Sequence, residues 1–578
     1  MREKSVCHLS GVSIRDAGRW AAALKNEPAD DLTQYFKSGS QDVREVIDFG
    51  WKFEDFNVVP ISTETAWREV APDDRTWNFK LHTWEFLDPA VREYLSSGQQ
   101  HYLEWAVDVA VSWTNAVLPA DEPGFMEWYD MALSLRSPRL AGLLVLASRA
   151  GFRAEALRPL FALALSHRDT HEADESFVSR NNHGFYAAMG QIVLARSMLC
   201  LPGMTSLHLQ GMKRMEGMAQ QQFLPDGGHA EHSPDYHRML LGSFQQATDQ
   251  GFVTSPDVLR RVERASEALG WFVQPNGKIL QFGDSPARKV TSAKSTAKSE
   301  RTKFIVTNGR QGESNPDELF VLPDTGYAII RSPQPDSVDQ LDSSSYLALS
   351  AGFHSRAHKH CDDLSLVWWH RGIEVLVDGG RYGYGPQLPK SSPLRKEGYY
   401  YDSVERQYVE SVFAHNTVAL DGQNHDRRRA PYGSALCRAV REGSRFVMEA
   451  FVDHGAWSHR RTIELRVGER AGLVVTDLVD AEDGGEHEYN ITWNFDGALD
   501  LEARRNGEIE LGHQGERLMT MSSRTAPIEF EVVKGRENPL RGWRSREDRV
   551  LEPAWSVLGK GSFVDQTTIV TEFNAAES

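Results

Sequence analysis

The sequence predicts an all-α domain followed by an all-β domain, and three observations carry that prediction. Its 578 residues exceed the roughly 250–300 at which a single hydrophobic core stops growing, so two domains are expected. From about residue 85 to 275 the apolar residues recur at helical spacing, and after residue 324 the period falls to two.

In the first half, HYLEWAVDVAVSWTNAVL (101–118), RLAGLLVLASRAGF (139–152), FYAAMGQIVLARSMLCL (185–201) and PDVLRRVERASEALGWFV (256–273) each carry an apolar face at i, i+3, i+4 and i+7. Breaks such as PADEPG (119–124) and LPGMTS (201–206) separate them. Helix, break and helix repeated at this length predict antiparallel helical hairpins, as a bundle or an α/α toroid. The stretch 285–303, rich in Ser, Lys and Ala, reads as a linker or exposed loop. Strands are then predicted at 324–332, 344–352, 364–370, 373–380, 416–422, 445–454, 460–468, 472–481 and 488–497, bounded by turn residues. Many short alternating strands indicate an antiparallel sandwich.

A hydrophobic content of 40% and a charged content of 25% exclude a disordered or fibrous chain. No apolar run reaches the roughly 18 residues needed to span a bilayer. The 64 Lys+Arg against 81 Asp+Glu give a net charge of −17, which argues against nucleic-acid or anionic-membrane binding. The global charge does not describe a local field, however, and the motif segments below carry Arg180, Arg238, Arg356, Lys359 and Arg381. The four scattered cysteines form no CxxC pair or disulfide framework. The N-terminus is charged at once, so the chain reads as cytoplasmic as it stands, and as periplasmic or secreted if an export signal has been removed.

Four stretches hold more polar, titratable residues than packing requires. In SRNNHGFY (179–186), Arg180, Asn181, Asn182 and His183 open an apolar helix, where one Asn would serve as an N-cap. LPDGGHAEHSPDYHRML (224–240) sets His229, Glu231, His232, Tyr236, His237 and Arg238 before a helix that Ser233 or Asp235 can cap, without an HExxH metal pattern. In HSRAHKHCDDLSLVWWHRGIEVLVDGGRYGYG (354–385), His358 and His360 share one face if the segment is extended, a spacing that suits a divalent metal completed by a carboxylate. Asp378 ends the apolar run IEVLV and requires a partner. His415 opens a further strand in SVFAHNTVALDG (411–422) and, alone, would read as a structural histidine.

Those residues carry a resemblance. NNHG (181–184), DGGHAEHSPDYH (226–237), HKHCDDLS (358–365), LVDGGRYGYG (376–385) and AHNTVALDG (414–422), in that order, resemble the signatures of the heparinase II/III-like polysaccharide lyases. WYDMALSLR (128–136) is similar to a toroid helix of that family, and FGDSP (282–286) to its segment closing the toroid. The resemblance implies an incomplete (α/α) toroid at 1–310, with a lead-in at 1–85, and an antiparallel β-sandwich at 311–578. It implies β-elimination on a uronic-acid polymer, which requires neutralising the C6 carboxylate, removing the C5 proton and protonating the departing O4. Asn182 is then the neutraliser with His183 beside it, and Asn181 is a register alternative. Tyr236 is base, acid or both, and His358 the base for the opposite C5 epimer. A tyrosine near its usual pKa of about 10 is a poor base, so a cation must assist it, with His183, His237, Arg238 and the β-domain histidines as candidates. Arg180, Asn181, His232, His237, Arg238 and Tyr384 fall to substrate binding. His360, Asp378 and His415 match the family's metal set, with zinc as the first choice in a structural role.

The expected partner is an anionic polysaccharide or oligosaccharide, with no nucleic acid or membrane, and the chain is compatible with a homodimer. Glycosaminoglycans (hyaluronan, chondroitin, heparosan or heparan) or a related bacterial polymer are the first choice, and alginate the alternative. A toroid glycoside hydrolase would need two carboxylates, for which Glu231, Asp235, Asp362 and Asp363 are available. A non-catalytic polysaccharide-binding scaffold is the other rival. Cys361 stands where the family commonly has a small residue and reads as a buried thiol rather than a fourth ligand. The charged, tyrosine-rich stretch 391–410, with Tyr399, Tyr400 and Tyr401, is expected to shape a cleft or lid, and Arg427–Arg429 to be a solvated loop or an anion grip.

Overall fold

The computed structural model describes residues 11–26, 30–37, 39, 41–53, 57–67, 75–118, 126–174, 177–179, 182–290, 298–334, 344–428, 433–468, 471–525 and 529–576. The chain divides into two compact units, one of residues 1–219 with 247–255, the other of 220–246 with 256–578.

The first unit is helical. The expected helix at 101–118 is Gln100–Val117, and that at 185–201 is Asn182–Ser197. The segments 128–136 and 139–152 join into one helix, Asp130–Arg149, which passes through Pro138 and buries nearly every residue from Ala132 to Ser148. Proline inside a helix removes the hydrogen bond to the carbonyl four residues back, here Ser134. Gly190 of the Asn182–Ser197 helix lies against that same carbonyl, and a Cβ there would stand 2.4 Å from the Ser134 oxygen. The freed carbonyl and the missing side chain together let the two helices approach closely. Within the same helix the buried Arg136 caps loose carbonyls, donating to His82 O at 2.6 Å and Glu127 O at 2.8 Å.

In the second unit, the helices Pro234–Asp249 (mostly) and Pro256–Trp271 precede the strands. The central sheet pairs Leu319–Leu322, Tyr327–Ser332, Ser345–Ser350, Ser365–His370 and Ile373–Leu376 in succession, then Gly472–Phe495 and Trp555–Ala575, every pairing antiparallel. The strands expected at 472–481 and 488–497 are one strand, which pairs with Trp555–Ala575 along its length and shifts register between Ala481 and Glu486. The turn-like EDGG between them is absorbed as a bulge. Ser458–Arg466 alternates buried and more exposed residues as the period predicts, and Arg445–Asp453 does so from Met448 onward, whereas 327–332, 345–350 and 365–370 are buried on both faces. Such strands have a covering layer on each side. One core, with Trp368, Phe446, Trp493 and Phe573, runs through the unit.

The expected linker at 285–303 is structured at both ends. Ser285 is fully buried, and Glu300–Val306 is a helix capped by Ser299 and tied down by Thr302, whose hydroxyl donates to Ser266 O at 2.6 Å. Its composition is that of a linker, but its small hydroxyl residues satisfy buried backbone; residues 291–297 lie outside the described residues. Among the described residues no helix is long and apolar enough to cross a membrane.

Candidate active site

The candidate site in the second unit is organised around a residue that sequence reading passed over, Asp284. The segment Ile279–Phe282, apolar except for the buried Gln281, is followed by Gly283, whose φ of +52° is the left-handed region. A Cβ on Gly283 would lie 2.4 Å from His358 O, so only glycine fits there. That close approach lets the Asp284 N–H donate to His358 O at 3.0 Å. The Asp284 carboxylate then collects four donors. Oδ2 lies 2.8 Å from His358 Nδ1 and 3.1 Å from the Tyr384 hydroxyl. Oδ1 lies 3.0 Å from His360 Nε2 and 2.5 Å from Arg406. Burial pushes this carboxyl up, but Arg406 and the two histidines outweigh it and hold it well below the usual carboxylate range.

The charged carboxylate sets the tautomers around it. An acceptor facing Nδ1 of His358 puts a proton there in the neutral ring and leaves Nε2 with its lone pair. Glu231 faces that nitrogen, with Oε2 at 3.6 Å, and burial raises its carboxyl against the opposing pull of His358. Tyr384 donates to Asp284, so its oxygen accepts from Tyr236, the two hydroxyls being 2.8 Å apart. Tyr236 stands in the first turn of the Pro234–Asp249 helix, where Ser233 accepts from the Tyr236 N–H at 3.3 Å and is itself bonded to Ser285. The Tyr236 ring stacks on His358, centroids 3.6 Å apart and planes at 22°. Burial raises the Tyr236 phenol, partly offset by Tyr384, and pushes that of Tyr384 up further. Both are neutral phenols at neutral pH.

Arg406 gives the tyrosine-rich stretch 391–410 its account. It lies in the helix Val404–Glu410, bridges Asp284 and Glu410, and packs its guanidinium 5.5 Å from the Tyr384 ring. Tyr401 stacks on Tyr384 at 5.0 Å, and Tyr399 is buried against Asn424 and Cys361. Cys361 is buried as expected, its thiol pushed up to about 12 by burial.

The set matched to a metal also converges. His360, Asp378 and His415, all buried, each bring one ligand atom to within 4.8 Å of the others. His360 Nε2 is engaged by Asp284, and its Nδ1 is buried with no hydrogen-bond partner among the described residues. Likewise His415 Nδ1 meets Asp378 at 2.8 Å while its Nε2 is buried and has no hydrogen-bond partner among the described residues. Two orphaned imidazole nitrogens, with Asp284 behind the His360 ring and Asp378 as the neighbouring carboxylate, fit a divalent metal of zinc type.

The other expected residues divide. His358 and His360 are not on a strand: His358 has φ +60°, and the loop aims both rings at Asp284. His232 and His237 are buried rather than open to a ligand. His232 Nε2 accepts from the His354 N–H at 2.6 Å, and His237 Nε2 meets Ala265 O at 2.8 Å. Burial drives the imidazole of His232 well down and that of His237 to about 4, so neither is the cation expected to assist Tyr236. Arg238 is paired with Asp235, Arg381 with Asp548, and Lys359 is buried against Asp362, so these three add little free positive charge. Arg427 is buried between Glu410 and Lys359 O rather than in a solvated loop. In the first unit His183 is half-buried, with Nδ1 3.0 Å from Asp130. Asn182 begins its helix; its side chain, Arg180, Asn181 and Arg429 lie outside the described residues. Of the carboxylates a hydrolase could use, Asp235 is held by Arg238, and Asp362 and Asp363 are buried beside Lys359, leaving Glu231.

Sequence reading missed Asp284 and Arg406. ILQFGDSP offered for Asp284 the signal that identified Asp378, an acid ending an apolar run before a turn. Nothing local distinguishes Arg406 from a surface arginine.

Solved structures give the same fold. A mutant heparan sulfate lyase HepC from Pedobacter heparinus superposes with a TM-score of 0.75 at 14% identity, over 97% of this chain and 88% of that one. A heparinase III gives 0.66 at 16%, over 99% and 93%. The class is therefore an (α/α) toroid followed by an antiparallel β-sandwich. The family description "Heparinase II/III N-terminus" matches residues 31–306, and "Heparinase II/III-like, C-terminal" matches 314–578. The chain belongs to the heparinase II/III-like family. A curated relative, the heparin-sulfate lyase of Bacteroides thetaiotaomicron, is 21% identical over 388 residues, covering 62% of this chain and 53% of the relative, so the match spans about half of that protein's length.

Proposed function

We propose that this protein is a polysaccharide lyase that cleaves a uronate-containing glycosaminoglycan of heparan type by β-elimination. The observation that carries the reading is the hydrogen-bonded file Tyr236–Tyr384–Asp284–His358. It offers a neutral phenol beside an imidazole with a lone pair on Nε2, an acid and a base neither of which is a carboxyl group. The family membership and the heparan- and heparin-sulfate lyases among the similar proteins support the substrate class.

In the reaction the C5–H bond breaks, its electron pair forms the C4=C5 double bond, the C4–O4 bond breaks, and O4 leaves with a proton. Asn182, with His183, is assigned by resemblance to the C6 carboxylate, whose negative charge grows as C5 loses its proton. Where the C5 proton and O4 share one face, Tyr236 takes the former on its oxygen as its own proton passes to O4, so the phenol ends the step protonated as it began. For the opposite C5 epimer, His358 Nε2 takes the proton, with Asp284 stabilising the imidazolium that results, and Tyr236 supplies O4.

The test is direct, because elimination yields an unsaturated uronate that absorbs in the ultraviolet and hydrolysis does not. With heparosan, heparan sulfate, hyaluronan, chondroitin and alginate offered in parallel, the expected result is absorbance with the heparan-type polymers. Reducing ends without absorbance would show hydrolysis. Absorbance with alginate alone would move the substrate to the alternative.

His360, Asp378 and His415 are proposed to hold a divalent ion, zinc as first choice. Bound there, it supplies a fixed positive charge and a cross-link among three segments, one of which carries His358. The full-length His415→Gln variant is expected to lose one equivalent of metal and to unfold at a lower temperature than the metal-loaded wild type. Unchanged metal content and stability would remove the site.

A further inference from the structure

A second group of ligand-type side chains lies in the strand-bearing unit. Asp363, His425 and His454 each bring one ligand atom to within 4.8 Å of the other two; Asp363 and His425 are buried and His454 is half-buried. They come from three separate segments: the loop before Ser365–His370, the turn after Val418–Leu420, and the turn after Arg445–Asp453.

The chemistry of His425 shows what the group lacks. Its Nε2 lies 2.8 Å from Val418 O, and a carbonyl only accepts, so Nε2 carries the proton of the neutral ring. Nδ1 is then a lone pair, buried and without a hydrogen-bond partner among the described residues. It faces Asp363 Oδ2 at 3.4 Å. A lone pair opposite an ionised carboxylate oxygen is repulsive unless a cation lies between them.

A proton is one such cation, but the buried histidine–aspartate pairs of this unit that share one are closer: His358–Asp284 at 2.8 Å, His360–Asp284 at 3.0 Å and His459–Asp477 at 2.7 Å. Two ligands held about 2.0–2.1 Å from one tetrahedral ion stand about 3.3–3.4 Å apart. The observed separation is that of two ligands of one ion. Lys359 also approaches Asp363, with Nζ 3.4 Å from Oδ1, but its nearest partner is Asp362. The Lys359 contact is on the oxygen of Asp363 away from His425. The third candidate ligand is oriented by packing. The His454 ring lies 4.7 Å from that of His425 and stacks on Trp457 at 4.2 Å.

We propose that Asp363, His425 and His454 form a second divalent transition-metal site, of zinc type, distinct from His360, Asp378 and His415. Two imidazoles and one carboxylate are the donor set that borderline metals prefer. Asp363 follows His360 by three residues, so an ion here clips the far side of the loop that carries His358.

The test uses the full-length protein, loaded separately with Zn²⁺ or Co²⁺ and freed of excess by gel filtration. His454→Gln is chosen because His454 is half-buried, and Asp363→Asn serves as a second variant if the first misfolds. The expected result is one equivalent of metal fewer than wild type in His454→Gln, with loss of part of the visible Co²⁺ absorption, while His415→Gln loses a different equivalent. Wild-type metal content in a folded His454→Gln or Asp363→Asn protein would overturn the proposal. So would a wild type whose metal is lost entirely in His415→Gln, and that outcome would leave the first site standing. A wild type that takes up neither ion would overturn both.

Discussion

Tyr236→Phe is expected to abolish turnover while leaving the protein folded. The phenylalanine keeps the ring that stacks on His358 at 3.6 Å and the backbone N–H that donates to Ser233. What is lost is one hydroxyl, whose hydrogen bond to Tyr384 contributes about 1 kcal/mol of stability. Tyr384 still donates to Asp284. The unfolding midpoint should therefore move little. The proposed chemistry loses more, because the same hydroxyl protonates O4 for either C5 epimer and removes the C5 proton for one of them. General acid–base groups contribute about 10²–10⁴-fold, and a residue serving twice belongs at the upper end, so kcat should fall by about 10³-fold or more with KM nearly unchanged. Initial rates of ultraviolet absorbance measure this. Near-wild-type turnover in a folded Tyr236→Phe protein would remove Tyr236 from the reaction.

The contrast between Tyr236 and the histidines around it shows what the sequence made legible. Helical and strand periods are local properties, so Gln100–Val117, Asn182–Ser197 and Pro256–Trp271 were readable to within a few residues. Asp378 was readable as an acid ending an apolar run that needs a partner, and His415 is that partner. The direction of a side chain in a loop is not a local property. The period-two argument placed His358 and His360 on one face, and a left-handed His358 achieves their convergence by another route. His232 and His237 are titratable types in a motif, but their partners are backbone groups of residues 354 and 265, which no spacing reveals. Lys359 and Arg427 counted as positive charge, yet each is buried against a carboxylate. Ion pairing is set by tertiary contacts, and composition cannot register it.

Asp284→Asn is expected to damage stability and activity together, and pH separates the two causes. Four donors converge on the Asp284 carboxylate, from His358, His360, Tyr384 and Arg406. An amide keeps one acceptor oxygen and turns an NH₂ toward donors, so at least one of them is left facing another donor. The buried Arg406 retains only Glu410 of its two carboxylates. Removing one partner of a buried ion pair costs about 3–5 kcal/mol, and at neutral pH the variant should be less stable by that order. The sign with pH follows from the depressed carboxyl of Asp284. A group whose folded pKa lies below its unfolded value of about 3.9 stabilises the fold fully above that value, and loses the contribution as pH falls toward the folded pKa. The gap between wild type and Asp284→Asn should therefore be constant near neutrality and narrow below about pH 4. Denaturant unfolding at several pH values measures it, and a gap that stays constant into acid would show that the cost is steric rather than electrostatic. Activity should fall by about 10²–10⁴-fold, because His358 loses the acceptor that keeps its proton on Nδ1 and its lone pair on Nε2. If Asp284→Asn turned over at the wild-type rate, His358 would not be acting through Nε2, and the proposed base for the second C5 epimer would have to be sought elsewhere.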